Sequence, residues 1–510
     1  MKLFRAWFFY SFCFLIIIFL GFILRFINLT LLPVFADEAI YIRWSQVMSA
    51  EPTLRFLPLS DGKQPLFMWI LMFLVNRISD PLFAGRIISV FSGIASLVGI
   101  CLISYILFRS KAVSLVSGLL VSVSPYFVFF DRMALVDSML LMWTVWTFVF
   151  GILTVKTRRL DMAIFSGFCL GFASLTKSSA IFAALLLPST LILGSYSKKR
   201  KIVLYEFLYT MFLFFVSCLI AVFMYNIQRL GPNFHLLSSR TADYVFPISH
   251  LWENPMDPLK PYLIRAFEWI KLMGPWGVFL LTAYSLLFIN RKNLREKAFL
   301  LFWFLMPLII QAMYAKVFTA RYLLFVIPPV FILGGSAFLD FNKESLLSKF
   351  LIGVTLLFLF QALSFDYKLL TNPSAANLPR SERSGYLEEW TAGTGIKDVS
   401  EYIKRVSREN SDTQIVVGTE GYFGTLPDGL LMYLQGTPRV VTIGIGLNIK
   451  EVPEPLVESR AFGNKTYLVI NDSRLKIIDP ESRGLRLIAS FEKAKKPDGG
   501  QEHLLFFELI

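Results

Sequence analysis

The stretch LLPVFADEAIYIRWSQ (Leu31–Gln46) sets two adjacent carboxylates, Asp37 and Glu38, a few residues beyond a long apolar run. Tyr41 and Trp44 follow on a segment with the pattern of an amphipathic helix lying against a bilayer. Ionisable groups are costly to hold near hydrocarbon, and where they occur they usually face a polar interior. Whether this pair does chemistry depends on the rest of the chain.

The 510 residues are 55% hydrophobic and 16% aromatic, with a mean hydropathy of +0.60. Soluble domains sit near ~45–50% apolar, so a membrane protein with many spans is expected. Apolar runs of about 20 residues, the length that crosses the hydrocarbon, recur along the chain. The first follows a short basic start, is too long for a signal-peptide core and has no small-residue cleavage site after it. It reads as a retained anchor. With the N-terminus cytoplasmic, eleven spans are predicted, at 7–29, 82–108, 112–127, 134–155, 162–176, 178–196, 203–226, 264–289, 298–314, 321–340 and 348–365. The odd number puts the C-terminal end outside.

The net charge is +14, but the basic residues are clustered. They fall at Lys2 and Arg5, RSK (109–111), KTRR (156–159), SKKRK (197–201), RKNLREK (291–297), Lys343 and Lys349. This topology places every one of those connections inside, the positive-inside pattern. Topology therefore accounts for the charge, and no nucleic-acid partner is expected. The four cysteines all lie in apolar segments, with neither a disulfide framework nor thiol–metal spacing.

Residues 1–365 read as the membrane domain, with a large first outside loop at 30–81. That loop continues through DGKQPLFMWILMFLVNRIS (61–79), whose apolar part suits an interfacial or re-entrant segment better than a span. Residues 366–394 are polar, contain Pro and Ser, and read as a linker. Residues 395–510 read as a small α/β exoplasmic domain. In GIKDVSEYIKRVSREN (395–410) Val399, Ile403 and Val406 recur at helical spacing, while TQIVVGTE, RVVTIGIG, KTYLVIND and HLLFFEL read as strands. GTGIKD (393–398) lacks the strand and glycine spacing of a phosphate loop, and reads as the start of a helix. The predicted fold is thus a polytopic all-α membrane protein of about 11 transmembrane helices, in the plasma membrane, with an extracytoplasmic α/β domain at its C-terminal end.

Three sets of ionisable residues gather on the outside face. Asp37 and Glu38 share the first loop with Asp61 and Lys63. A carboxylate in a partly dry pocket can take a proton from an attacking hydroxyl, or hold a divalent cation against a phosphate. SPYFVFFDRMALVDSMLLMW (124–143) brings Asp131, Arg132 and Asp137 to the lip of apolar helices. An ion pair of Arg132 with Asp131 or Asp137 is the plain structural alternative. Lys63, Lys177 (in SLTKSSA) and Arg321 (in TARYLLFVIPP) are cations at outside ends of segments, with Arg25 and Arg86 weaker candidates. Such side chains often only snorkel to the interface. A phosphate-bearing lipid would need them, and Arg grips phosphate bidentately.

LRFINLTLLPVFADEAIYIRWS (24–45), GKQPLFMWI (62–70), DRMALVDSMLLM (131–142), LTKSSAIF (175–182) and RYLLFVIPP (321–329) occur here in one order. Together they resemble the lipid-dependent glycosyltransferases of the GT-C fold, above all protein O-mannosyltransferases and bacterial aminoarabinose transferases acting on lipid A. The resemblance covers roughly residues 1–365. It implies hexosyl or pentosyl transfer in the cell envelope, from a polyprenyl-phosphate-linked sugar donor to a lipid, glycan or protein acceptor, with inversion. It implies Asp37 as general base, Glu38 as its support and Asp137 as the second acidic residue. Lys63, Arg132, Lys177 and Arg321 would surround the donor phosphate, with Tyr41 and Asp131 lining the substrate cavity. A divalent metal cation held by Asp37 and Asp137 is left open. The chain departs from the family at KQPL, where Pro-Pro usually follows the lysine, and at Asp131, where a small or aromatic residue is common. A lipid-linked-sugar flippase or transporter would put charges or broken helices near the midplane in paired halves, whereas these ionisable residues collect at one face. An oligosaccharide ligase would share the donor but carry a different loop pattern.

Overall fold

In hydrocarbon no water satisfies the backbone, so an apolar run that crosses it closes its own hydrogen bonds as a helix. The computed structural model describes residues 2–197, 199–288, 293–339, 341–342, 344–410 and 412–510. Lys198, Arg291, Lys292 and Lys343 of the basic clusters, and the expected span ends Ile289 and Asp340, lie outside the described residues. Among those residues six helices are long and apolar enough to cross: Trp7–Phe26, Pro81–Phe108, Val136–Thr157, Lys201–Leu230, Leu294–Tyr314 and Leu346–Thr371. They fall on the first, second, fourth, seventh, ninth and eleventh expected spans.

The other expected spans are shorter or interrupted. The eighth is a pair, Leu259–Met273 and Trp276–Leu287, bent by 111° where Gly274 and Pro275 break the helix. The third, fifth and sixth are the shorter apolar helices Lys111–Ser122, Leu160–Thr176 and Ser178–Leu193. The tenth is split into Ala320–Leu323 and Pro328–Ser336, the second helix opening on two prolines. Length and composition therefore support six spans, or seven with the bent pair, where the sequence reading predicts eleven.

The chain divides into two compact units. The first takes in the chain up to Ile27, Thr53–Trp69 and Arg86–Pro379. Small residues let its helices approach closely: a Cβ added at Gly335 would lie 2.0 Å from Ser117 Oγ. Serines inside it return their hydroxyls to the carbonyl one turn back, as Ser92 does to Ile88 and Ser104 to Ile100, each at 2.8 Å. Their polarity is thereby satisfied without water.

The second unit comprises Asn28–Pro52, Ile70–Gly85 and Arg380–Ile510. Its five-stranded sheet has the order β2-β1-β3-β5-β4, with β1 (Ile415–Thr419), β2 (Val440–Gly444), β3 (Lys465–Asn471), β4 (Leu485–Glu492) and β5 (His503–Leu509). The first three strands are parallel and the last two antiparallel. Four of the strands lie where the sequence puts them, and β4 is additional. The helix Ile396–Glu409 starts after Gly395, whose φ of 84° is the left-handed region glycine tolerates. It turns Val399, Ile403 and Val406 inward as predicted. The expected linker is partly ordered: Leu346–Thr371 runs past residue 365, and Arg380 and Arg383 both pair with the buried carboxylate of Glu388.

One expectation is corrected. The helix Ala36–Ala50 does not lie against lipid along its apolar face, because protein covers it within the second unit. Ala39 and Ile42 are fully buried and Trp44 nearly so. Gln46 Nε2 donates to the Met432 carbonyl at 2.8 Å, and Val34 accepts from Gly393 N at 2.7 Å. The architecture as a whole, mostly helical with several apolar helices and a small C-terminal sheet, is the one the sequence predicts.

Candidate active site

In the first unit Asp137 occupies the first turn of Val136–Thr157, where the helix dipole favours a carboxylate. It is nearly buried. Its Oδ1 accepts a hydrogen bond from Lys177 Nζ at 2.6 Å, and its Oδ2 is buried without a hydrogen-bond partner among the described residues. Lys177 stands in extended conformation at the break between Leu160–Thr176 and Ser178–Ala180, so the interrupted helix is what aims the lysine. Its Nζ lies 4.1 Å from the centre of the Tyr322 ring, and the Arg321 guanidinium lies 5.7 Å from that same ring. Tyr322 thus gathers two cations by its π-face. Sequence reading missed it, although it adjoins Arg321.

Lys177 and Gln64 are among the residues that line a cavity of about 320 Å³. Gln64 Nε2 donates to Ser178 Oγ at 2.7 Å. The remaining wall is mainly apolar, with Leu170, Ile181, Ala221 and Val222 among its residues. A cation in the wall of a mainly apolar cavity suits a molecule with an anionic head and a hydrocarbon tail.

Other predicted residues of this unit have different neighbours. Lys63 Nζ lies 3.4 Å from Asp61 Oδ2, and Arg240 also pairs with Asp61. Asp131 Oδ2 accepts from Arg25 Nε at 2.9 Å, both side chains being buried. Arg25 also donates to the carbonyls of Gly21 and Ser122. Arg132 donates to the carbonyls of Leu24, Arg25 and Ile27, the orphan acceptors that end a helix. For Asp131 and Asp137, where an ion pair with Arg132 is the plain alternative, the structure shows the pairs Arg25–Asp131 and Lys177–Asp137. Gly93 makes room for the former, since a Cβ there would sit 2.3 Å from Asp131 Oδ2.

Asp37, Glu38 and Tyr41 belong to the second unit. Asp37, partly exposed, sits in the first turn of Ala36–Ala50. Glu38 is fully buried, and its Oε2 accepts from Phe35 N at 3.0 Å. That bond fixes the turn from which Asp37 projects. Tyr41 is buried beside Trp44.

The same unit holds a buried polar cluster that no sequence motif marks. Glu420, just after β1, takes hydrogen bonds of 2.7 Å from both the backbone N and Nδ2 of Asn471, the last residue of β3. Lys493 Nζ donates to Asn471 Oδ1 and to the Glu389 carbonyl. Burial pushes the Lys493 ammonium down to about 8, against the pull of Glu502 and Glu420. Burial likewise raises the Glu420 carboxyl, opposed by its bonds to Asn471. Among the described residues no three His, Cys, Asp or Glu side chains group as metal ligands.

Residues 62–225 match the dolichyl-phosphate-mannose-protein mannosyltransferase family, a third of the chain that includes Lys63, Asp137 and Lys177. The structure is similar to ArnT from Cupriavidus metallidurans in the apo state, with a TM-score of 0.60 and 13% identity over 97% of each chain. It also matches ArnT from that organism bound to undecaprenyl phosphate, with a TM-score of 0.57 and 13% identity over 97% of this chain and 98% of that one. A third likeness is to the archaeal oligosaccharyltransferase AglB from Archaeoglobus fulgidus in complex with an inhibitory peptide and a dolichol-phosphate. Its TM-score is 0.51 and its identity 12%, over 97% of this chain and 74% of that one. No curated protein sequence matches the chain significantly. At such identities the structures establish a shared fold. The GT-C fold expected from the sequence is borne out, and the chain combines it with a glycosyltransferase family signature.

Proposed function

We propose that this membrane-embedded, multi-pass protein is a glycosyltransferase that moves a sugar from a polyprenyl-phosphate donor to an acceptor at the outer face of the plasma membrane. The N-terminus would be cytoplasmic and the C-terminal domain extracytoplasmic. The observation that carries the proposal is Lys177, paired with Asp137, in the wall of a mainly apolar cavity. The fold shared with a protein crystallised with undecaprenyl phosphate supports the choice of donor.

In the proposed reaction Asp37 takes the proton of an acceptor hydroxyl as its oxygen attacks the anomeric carbon. The bond from that carbon to the phosphate oxygen breaks, and its electron pair leaves with the polyprenyl phosphate. Lys177, with Arg321 and Lys63, offsets the charge that develops there. Asp137 orients Lys177. A divalent cation, if bound by the carboxylates, would supply further charge stabilisation to the phosphate.

The test uses the full chain in liposomes with a panel of polyprenyl-phosphate sugars and envelope extracts as acceptor, scoring free polyprenyl phosphate. Release by the wild type that is lost in Asp37→Asn and Lys177→Met is expected. Release undiminished in both variants, or none from any donor, would overturn the proposal.

A further inference from the structure

In an open α/β sheet, ligands settle outside the carboxyl ends of the strands, where the chain leaves one strand for neighbours on opposite sides. The second unit has one such point. From β1 the chain passes to β2 on one side and later to β3 on the other. Glu420 and Asn471 lie there, locked together and to Lys493. This buried frame fixes the loop that follows β1.

That loop, Gly421–Thr425, presents two exposed aromatic rings between buried residues. Tyr422 is 75% exposed, Phe423 47% and nearby Trp390 38%. Gly421 and Gly424, at φ of 68° and 120°, bracket the two rings in conformations side chains rarely adopt. Trp390 approaches Gly424, where an added Cβ would meet its ring at 3.8 Å. The Arg474 guanidinium lies 5.2 Å from the Trp390 ring centre. Clustered exposed aromatic rings beside a cation mark an interaction site.

Asp37 is tied to the same place. The Thr391 carbonyl accepts from Ala36 N and from Thr425 Oγ1, each at 3.2 Å. Ala36 precedes Asp37, and Thr391 follows Trp390. Three backbone segments therefore meet at one carbonyl, and they carry Asp37, Trp390 and the aromatic loop.

We infer that Trp390, Arg474 and the Tyr422–Phe423 loop form the binding platform for the acceptor, and that the acceptor presents a saccharide. Aromatic faces stack on the C–H face of a sugar ring, while a guanidinium donates to its hydroxyls or to an anionic substituent. A platform fixed to the segment that carries Asp37 would offer a sugar hydroxyl to the base. The inference rests on the proposed transferase reading for its context, but its test needs no turnover.

Saturation-transfer NMR on the full chain in nanodiscs would use methyl glycosides of hexoses and hexosamines, with a threonine-containing peptide as the competing class. Transfer to sugar-ring protons is expected in the wild type and in Phe462→Ala, which alters an exposed ring elsewhere in the unit. Trp390→Ala and Arg474→Gln should each weaken binding by about tenfold, as for central contact residues. No transfer to any glycoside, transfer to the peptide alone, or transfer undiminished in both Trp390→Ala and Arg474→Gln would overturn the inference. Loss of turnover with sugar binding intact would instead count against the proposed reaction.

Discussion

Replacing Lys177 by Met should separate its structural from its catalytic contribution. The pair with Asp137 spans 2.6 Å, with the lysine side chain 23% exposed and the carboxylate 4%. At an effective dielectric of about 20 the attraction over that distance is about 6 kcal/mol. Desolvation of both groups offsets part of it. Breaking a buried pair costs about 3–5 kcal/mol, and water at the lysine end puts this one near the lower limit, about 3 kcal/mol. If Lys177 also receives the leaving phosphate, its loss should slow polyprenyl-phosphate release by about 10²–10³-fold, as for a lost transition-state donor. The exchange Lys177→Asp/Asp137→Lys keeps the attraction but moves the cation. It should regain much of the thermal stability in nanodiscs and none of the release. Release recovering together with stability would refute a catalytic role, and Lys177→Met with full release would refute the site altogether.

Arg25→Met should destabilise the protein by about 3–5 kcal/mol because Asp131 is left buried and unpaired, whereas Arg25→Met/Asp131→Leu should restore most of it. A double-mutant cycle by thermal unfolding measures this, and additive losses would contradict the pairing. Gly93→Ala should cost about 1–3 kcal/mol by pressing a methyl group into the Asp131 carboxylate, and an unchanged unfolding temperature would show that the fit is not tight. Lys493 supplies a pH dependence. Its folded-state pKa of about 8 lies below the ordinary 10.5, so the unfolded chain binds more protons between those values. Stability therefore rises with pH across that window, by about 3 kcal/mol in full. The protection factors of the β3 amides, taken relative to intrinsic exchange at each pH, should rise accordingly, and Lys493→Met should abolish that rise.

The elements legible in the sequence are those whose own residues settle their environment. Val399, Ile403 and Val406 define a buried face at helical spacing, and β1, β2, β3 and β5 are dense in β-branched or aromatic residues. β4 (LRLIASFE) escaped because it has a single β-branched and a single aromatic residue, Ile488 and Phe491. Its charged residues face outward, with Arg486 paired to Glu508 of β5. The helix at 36–50 was legible as a helix but not in its surroundings, since composition does not distinguish a face covered by lipid from one covered by protein. Asp131 shows a second limit. Its neighbour Arg132 was the natural partner by proximity in the chain, while the actual partner, Arg25, is 106 residues away. Lys177 and Asp137 were both singled out, but their pairing across 40 residues, and the ring of Tyr322 beside them, emerge only in three dimensions.

The helix that carries Asp37 has a further consequence, for biogenesis. Gln46 and Met432, which bond directly, are 386 residues apart. Ribosomes add about 5–20 residues each second, so the partner surface arrives roughly 20–80 s after the helix itself. Until then the buried face of that helix, Ile42 included, lacks its native cover, and the helix is held only by local bonds such as that from Phe35 N to Glu38.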